Sequence, residues 1–348
     1  MKKRVLLEDI AREVGVTKGL VSRALAGKYN VSDEMRDRIT QKAVEMGYDF
    51  SKLKSKKPDA TKCSLIISKR ILLKEDYWQP IIRSVSSTLD RYNILLEYQI
   101  YDEEDLNKMF VDKLRRLKTN AFIIMHENPL IIANGFKDIK KPVVVIDPKY
   151  FHNDEFLQMK FSNYESIYLA TRCLIENGHK RIAFYGCDEH AISFRERHEG
   201  FLAAVSVYRN QDVKGYDILF DNTYLQYGDH ELLKSVINDK EKKISAIVCA
   251  NDIIALNVYK AARELGINIP EELSVIGFDD IKEGEYANPP LTTFKVPRHE
   301  IGVEVGRYLI NCFQNQQLLY NQVIIRCDFI ERESVKKLKK GDPHDQNC

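Results

Sequence analysis

The apolar, strand-like runs of this sequence stop at a recurring set of polar residues. "VVVID" stops at Asp147, "SAIVCA" at Asn251 and Asp252, and "LSVIGF" at Asp279 and Asp280, while "RIAFYG" leads on to Ser193, Arg195 and Arg197. Carboxylates and a guanidinium hold hydroxyl groups by charge-assisted hydrogen bonds, shorter and more selective than neutral ones. Upstream, "DYWQP" supplies Tyr77 and Trp78, the latter the one Trp of the chain. A flat ring there suits stacking on a sugar face or a base; the plainer role for Trp78 is core packing, with Tyr77 as its rival. Asp252 also reads as a cap of its own helix, and Asp280 as a cap of the next turn. Asp279 and Asp280 do not read as a catalytic pair, because adjacent residues at a strand end point apart. No GxSxG, Walker loop or GxGxxG occurs, and no Cys/His cluster has metal-ligand spacing. The chemistry expected is binding rather than catalysis, without metal or cofactor.

A second set lies near the N-terminus, in "VGVTKGLVSRAL". After Thr17, the non-core positions are Lys18, Gly19, Ser22 and Arg23. A helix dressed this way suits the major groove of DNA: Lys18 reaches guanine O6/N7 or a phosphate, and Gly19 lets the backbone approach the groove wall. Ser22 and Arg23 are placed for phosphates or base edges, and Lys28 adds a further cation. Charge agrees with this. Residues 1–57 carry fourteen Lys and Arg against eight Asp and Glu, whereas the remainder carries 39 against 43. A small basic head on a mildly acidic body points to a polyanionic partner for the head.

These residues need elements to hold them. Leu7, Ile10, Ala11 and Val14 share a helical face, Gly15 ends that helix, and Thr17 caps the next, whose apolar side is Val21, Ala24 and Leu25. Ala11, Gly15 and Val21 are the small residues for a steep helix crossing. Ser32 caps a third helix with Met35, Ile39, Ala43 and Met46 on one side. From Cys63, "SLIIS", "ILLEYQI", "AFIIM" and "VVVID" alternate with helical stretches such as 80–92 and 104–117, which predicts a parallel α/β sheet. A second cycle of similar size starts near Phe161. Two lobes with a cleft between them follow, and ligands of such sheets bind beyond the carboxyl ends of the strands.

The stretch "LLEDIAREVGVTKGLVSRALAGKYNVSDEMRDRITQKAVEMGY" resembles the DNA-binding head of the lactose/galactose repressor (LacI/GalR) family. The resemblance continues through "NGHKRIAFYG", "RERHEGFLAAV", "ANDIIALNVYKAARELGINIPEELSVIGFDD" and "NPPLTTFKVP", in the family's order, to about Ser334. It implies an all-α helix-turn-helix head at 1–50, a hinge or linker at 51–61, and a bilobal α/β body at 62–334, like periplasmic sugar-binding proteins, with two parallel-sheet lobes. Lobe one takes about 62–160 and 291–324, lobe two about 161–290 and 325–334, and a tail runs over 335–348. It also implies that Asp147, Arg197, Asn251 and Asp279 contact a small-molecule effector, with Tyr77, Trp78 and Ser193 completing the site. The expected function is a repressor whose affinity for a pseudo-palindromic operator is modulated by a sugar or sugar derivative; a charged ligand such as a phosphosugar is an alternative. A solute-binding receptor without DNA function is the other class.

The chain departs from the family at three places. The hinge leucine that wedges into the minor groove falls at Lys57, among Lys52, Lys54 and Lys56, with Leu53 one turn too early. Lysines there serve as a solvated linker or touch phosphate without sequence preference. Ser162–Asn163 stands where the family often has Asp–Asn, and near Thr223 an aromatic is replaced, with Tyr224 or Phe220 to serve instead. The tail lacks the leucine heptads of a tetramerising bundle, and one head reads only a few base pairs, so a homodimer is expected. Seven scattered cysteines, no secretory leader and no apolar run of membrane length give a cytoplasmic expectation.

Overall fold

The computed structural model describes residues 5–25, 31–50, 61–73, 75–126, 130–149, 156–187, 191–221, 229–314 and 321–338. The head is three helices, α1 (Leu7–Val14), α2 (Lys18–Leu25) and α3 (Asp33–Glu45). The Leu6 N–H donates to the Asp9 carboxylate at 2.9 Å, closing the start of α1. Gly15 ends it at φ +77, donating back to the Ala11 carbonyl. A β-carbon at Gly15 would meet nothing within 4 Å, so its need is the left-handed backbone and not, as expected, a close helix crossing. Ile10, Ala11, Val14, Val21, Ala24, Val31, Ile39 and Ala43 form the small core.

The body follows in chain order: β1 (Lys62–Ser68), α4 (Lys69–Leu72), α5 (Glu75–Asp90), β2 (Leu95–Tyr101), α6 (Lys108–Arg115), β3 (Ala121–Met125), α7 (Leu130–Phe136), β4 (Val143–Ile146) and β5 (Leu157–Phe161). Then come α8 (Asn163–Glu176), β6 (Arg181–Gly186), α9 (Ile192–Val207), β7 (Lys214–Leu219), α10 (His230–Ile237), β8 (Ala246–Cys249), α11 (Asp252–Leu265), β9 (Ser274–Ile276) and α12 (Lys282–Glu285). The last are β10 (Thr293–Lys295), α13 (Arg298–Phe313), β11 (Gln322–Ile325) and β12 (Asp328–Ile330). Helix α5 starts before the expected residue 80, so Pro80 lies inside it and removes one backbone hydrogen bond.

Lobe one is a six-stranded parallel sheet in the order β11-β5-β4-β3-β1-β2, and lobe two a four-stranded parallel sheet, β7-β6-β8-β9. The inner strands β3, β4 and β8 are buried at every residue, as strands covered on both faces must be. The chain passes between lobes at β5–α8, at β10 and after β11, and the last two passages pair as the antiparallel ribbon β10–β12. Beyond residue 334, where the tail is expected to begin, the chain stays on lobe two: the Lys336 N–H donates to Ser274 Oγ at 2.9 Å, and the Leu338 N–H to the Asn177 carbonyl at 2.8 Å.

Two close helix pairs set the geometry near the cleft. In lobe one, α13 lies on α5 with Gly302 and Gly306 against Ser84 and Thr88; a β-carbon at Gly302 would fall 2.6 Å from the Ile81 carbonyl oxygen. The Ser84 hydroxyl seals the contact, donating to the His299 carbonyl at 2.7 Å. In lobe two, Gly200 of α9 abuts the Tyr164 carbonyl of α8. Larger residues would push each pair apart and move the side chains at their N-terminal ends.

Candidate functional site

Arg197 is the hub of lobe two. It is 3% exposed on α9, and each of its contacts comes from a different element. Nε donates to Asn163 Oδ1 of α8 at 3.0 Å, Nη1 to the Ala250 carbonyl beyond β8 at 2.7 Å, and the guanidinium lies 3.8 Å from the Phe278 ring centroid beyond β9. Asn163 also donates to Glu196, which pairs with Lys160 of β5. Ser162 supplies no carboxylate; its Oγ turns inward and accepts the Cys327 N–H at 2.9 Å on the third passage. Ser193 is buried in the first turn of α9, whereas Arg195 points to solvent. Asn251 caps α11, its Oδ1 accepting the Ile254 N–H at 2.9 Å. Phe220 sits in the core edge-on to Tyr185.

Lobe one brings Tyr77, Trp78, His126 and Asp147. Trp78 is 4% exposed, packed edge-to-face on Tyr77 and tilted on the His126 ring, with centroids 4.7 and 5.0 Å apart. It supports the site from the core, and the ring beside the cleft charges is Tyr77. Burial first, then the charges of Asp279 and Asp147, push the Tyr77 hydroxyl well above its usual range, against the opposing pull of Arg197 and Arg298. The His126 ring bonds to the Asp147 carbonyl at 3.0 Å, and its Nδ1 lies 3.5 Å from Asp147 Oδ2.

Asp279 belongs to the same cluster. Its carboxyl is pushed up to about 6, by burial first and by Asp147, while Arg197 and Arg298 pull it down. Its Oδ1 is buried without a hydrogen-bond partner. Its neighbour points away: Asp280 pairs with Arg332 Nη2 at 2.6 Å and so binds the third passage rather than capping a turn. Asp252 does not cap α11 either. Fully buried, it accepts the Ile281 N–H at 2.9 Å and the Thr293 hydroxyl at 2.6 Å, joining lobe two to β10. Its carboxyl is pushed up to about 7, chiefly by burial and then by Asp279. The strand ends are also where the backbone is strained, with non-glycine residues at positive φ: His126 at 54°, Asp147 at 46°, Asp279 at 121° and Asp280 at 55°. Such conformations persist where the surroundings over-determine them, as at ligand sites.

Sequence reasoning missed His126, Phe278 and Arg298. The first two follow the ends of β3 and β9 and were open to the same reading as Asp147. Arg298 had no such signal, because it enters from the crossover and opens α13. The Nη2 of Arg298 donates to the Asp279 carbonyl at 2.6 Å, and its guanidinium lies 4.7 Å from the Tyr77 ring centroid.

In the head, Thr17, Lys18, Gly19, Ser22 and Arg23 are all exposed, and Gly19, Ser22 and Arg23 lie on the side of α2 away from Val21 and Ala24. Thr17 Oγ1 accepts the Leu20 N–H at 3.2 Å, a helix cap. Lys18 Nζ pairs with Glu8 of α1 at 2.5 Å. A β-carbon on Gly19 would meet nothing closer than Thr17 Oγ1 at 4.0 Å, so no internal contact demands glycine there. Lys28, Lys57 with the neighbouring linker lysines and Leu53, and Thr223 with Tyr224 lie outside the described residues.

The head over residues 6–50 matches the model of bacterial regulatory proteins of the lacI family, and residues 171–335 match the periplasmic binding protein-like domain. The head is a LacI-family domain, and the body carries a periplasmic-binding-protein-like domain. Among its relatives, the HTH-type transcriptional repressor CytR of Escherichia coli (strain K12) is 26% identical over 339 residues, covering 95% of this chain and 96% of that protein. A structure of the regulator CelR in complex with cellobiose aligns with TM-score 0.64 and 22% identity over 95% of this chain and 100% of that one. A Lac repressor dimer bound to operator and the anti-inducer ONPF aligns with TM-score 0.63 and 20% identity over 96% and 100%. With a lacI-type head and a periplasmic-binding-protein-like body, this chain is a DNA-binding transcriptional regulator, and the match at 6–50 weighs against the reading as a solute receptor without DNA function. No helix among the described residues is long and apolar enough to cross a membrane.

Proposed function

We propose that this protein represses transcription as a cytoplasmic homodimer, α2 of each copy entering the major groove of a pseudo-palindromic operator, and that a small neutral sugar or sugar derivative bound between the lobes changes operator affinity. The observation that carries the effector half is the meeting of the lobes at one place: Arg298 lies 4.7 Å from the Tyr77 ring of lobe one and donates to the Asp279 carbonyl of lobe two at 2.6 Å, with the charges of Asp147 and Arg197 acting on the same groups. Two carboxylates and two guanidiniums balance in charge, which favours an uncharged ligand over a phosphosugar. Ser193 and Asn251 border the same strand ends. The exposed face of α2, with the cations Lys18 and Arg23, supports the DNA half. A second copy has apolar faces to use: Leu95, Tyr98 and Ile100 are exposed on the edge strand β2, as are Ile253 and Tyr286 in lobe two. The relatives support this reading, CytR being a transcriptional repressor and CelR a transcriptional regulator in complex with cellobiose.

The test is to select DNA from a random pool with the purified protein and to identify by native mass spectrometry any small molecule it retains. A selected palindrome bound with a steep salt dependence, and released or tightened by the retained compound, is expected. Equal affinity for selected and random DNA at physiological salt refutes the reading.

A further inference from the structure

Arg298 is held in an unusual way for a half-buried cation beside a carboxylate. It pairs with the carbonyl of Asp279 and leaves the carboxylate alone. The Asp279 Oδ1 is buried with no donor, and the Arg298 Nε is buried with no acceptor. Among the described residues neither Arg298, Arg197 nor Asp279 makes an ion pair within 4.0 Å. A structural salt bridge would have joined these groups, since a carboxylate and a guanidinium fit each other in two parallel bonds. What exists instead is one unmet acceptor and one unmet donor at the same cleft, on residues that also border Tyr77. Buried polar groups without partners are rare and costly, and a ligand is one of the few things that satisfies them.

We propose that Arg298 is a ligand-recognition residue: its Nε donates to an oxygen of the bound effector while Asp279 Oδ1 accepts from a hydroxyl of the same molecule, so the two select a polyhydroxyl compound uncharged at that end. The proposal rests on the reading of the cleft as the effector site. Alternative ligands each leave one group unmet. A phosphate or carboxylate suits Arg298 but brings no donor to Asp279 and meets the charge of Asp147. An ammonium group suits Asp279 but faces two guanidiniums. Hydroxyls donate and accept, so a diol satisfies both atoms with no added charge. The close pairing of α13 on α5 holds Arg298 against Tyr77, and the bond to the Asp279 carbonyl holds it against lobe two, so the residue meets the ligand from the crossover itself.

The experiment uses the full-length protein and its Arg298→Met, Arg298→Lys and Asp279→Asn variants, with D-ribose, cellobiose and D-ribose 5-phosphate as probes in thermal-shift and isothermal titration measurements. The expected result is that at least one neutral sugar binds the wild type. Its affinity should fall thirtyfold or more in Arg298→Met and Asp279→Asn, and about tenfold in Arg298→Lys, which keeps the charge but has no Nε donor in that plane. The phosphate ester should bind no better than ribose. Binding to Arg298→Lys at wild-type affinity, tenfold tighter binding of the phosphate ester than of ribose, or no binding of either neutral sugar overturns the proposal. Affinity for a selected operator is measured on the same preparations. Operator binding retained while the sugars fail removes the ligand inference alone, whereas loss of DNA selectivity in the wild type removes the functional reading beneath it.

Discussion

Asp252 and Asp279 are carboxyl groups that the fold holds partly protonated near neutral pH, and each makes a pH-dependent prediction. Asp252 rises from about 4 unfolded to about 7 folded. A carboxyl raised on folding contributes stability that is fully present below the unfolded value and lost as pH climbs through the folded one. The loss between pH 4 and pH 8 is about 4 kcal/mol. Asp252→Asn should remove this slope. The amide oxygen still accepts from Ile281, and the amide nitrogen can donate to a rotated Thr293 hydroxyl. Urea denaturation across that pH range should show the variant gaining steadily on the wild type. Asp279, pushed up to about 6, belongs to the proposed effector site, so its prediction concerns ligand binding instead. A hydroxyl that donates to it favours the ionised form, so effector affinity should rise up to about tenfold per pH unit below 6, level off above 7, and lose this dependence in Asp279→Asn. Calorimetry in buffers of different ionisation enthalpy would register the released proton.

At the scale of elements, the proposed DNA surface is the exposed face of α2, and α1 restrains it through one ion pair. Lys18 is tied to Glu8 in the free protein, and that exposed pair is worth little by itself. On DNA, Glu8 adds a negative charge near the phosphates. Glu8→Gln should therefore raise operator affinity severalfold at low salt in an anisotropy titration. Lys18→Ala should relax base preference more than Arg23→Ala, which should weaken binding evenly across sequences. The pairing of α5 with α13 makes a different demand. A methyl group at Gly306 has no room against Thr88, so Gly306→Ala should cost about 1–3 kcal/mol on thermal unfolding. It should also weaken effector binding, by displacing Arg298 from Tyr77.

For the whole molecule, the proposed function requires that closure of the two lobes on a ligand and the pairing of two copies couple cleft to operator. Trp78 is buried beside Tyr77 and His126, so its emission should change when the effector orders that wall. A compound that shifts DNA affinity while leaving Trp78 emission unmoved would act from another site. Tyr286, 80% exposed, is the most open of the apolar residues offered to a second copy. Tyr286→Glu should shift the protein toward monomer in light scattering and lower operator affinity without altering the isolated head's contacts.

Period and capping made the three head helices and the alternation of strands legible, because those patterns are local. Gly15, Thr17 and Ser32 act within one turn of themselves, and β3, β4 and β8 announce burial on both faces by unbroken apolar runs. The strand-end set of Asp147, Arg197, Asn251 and Asp279 could be proposed from the sequence, since parallel sheets put ligands at one end of every strand. The structure brings the charges of Asp147, Arg197 and Asp279 to Tyr77, while Asn251 caps α11. Which side chains reach the candidate site was decided only by tertiary structure. Trp78 and Tyr77 are neighbours in the chain, and helical geometry together with the packing of α13 on α5 sent one into the core and the other toward the charges. Asp279 and Asp280 part on positive-φ backbone, one carboxylate toward the cleft charges and the other to Arg332 on the third passage. Arg298 was invisible to periodicity, because it meets Tyr77 and Asp279 only after the chain has crossed between lobes. Contacts between residues hundreds of positions apart leave no local pattern to read.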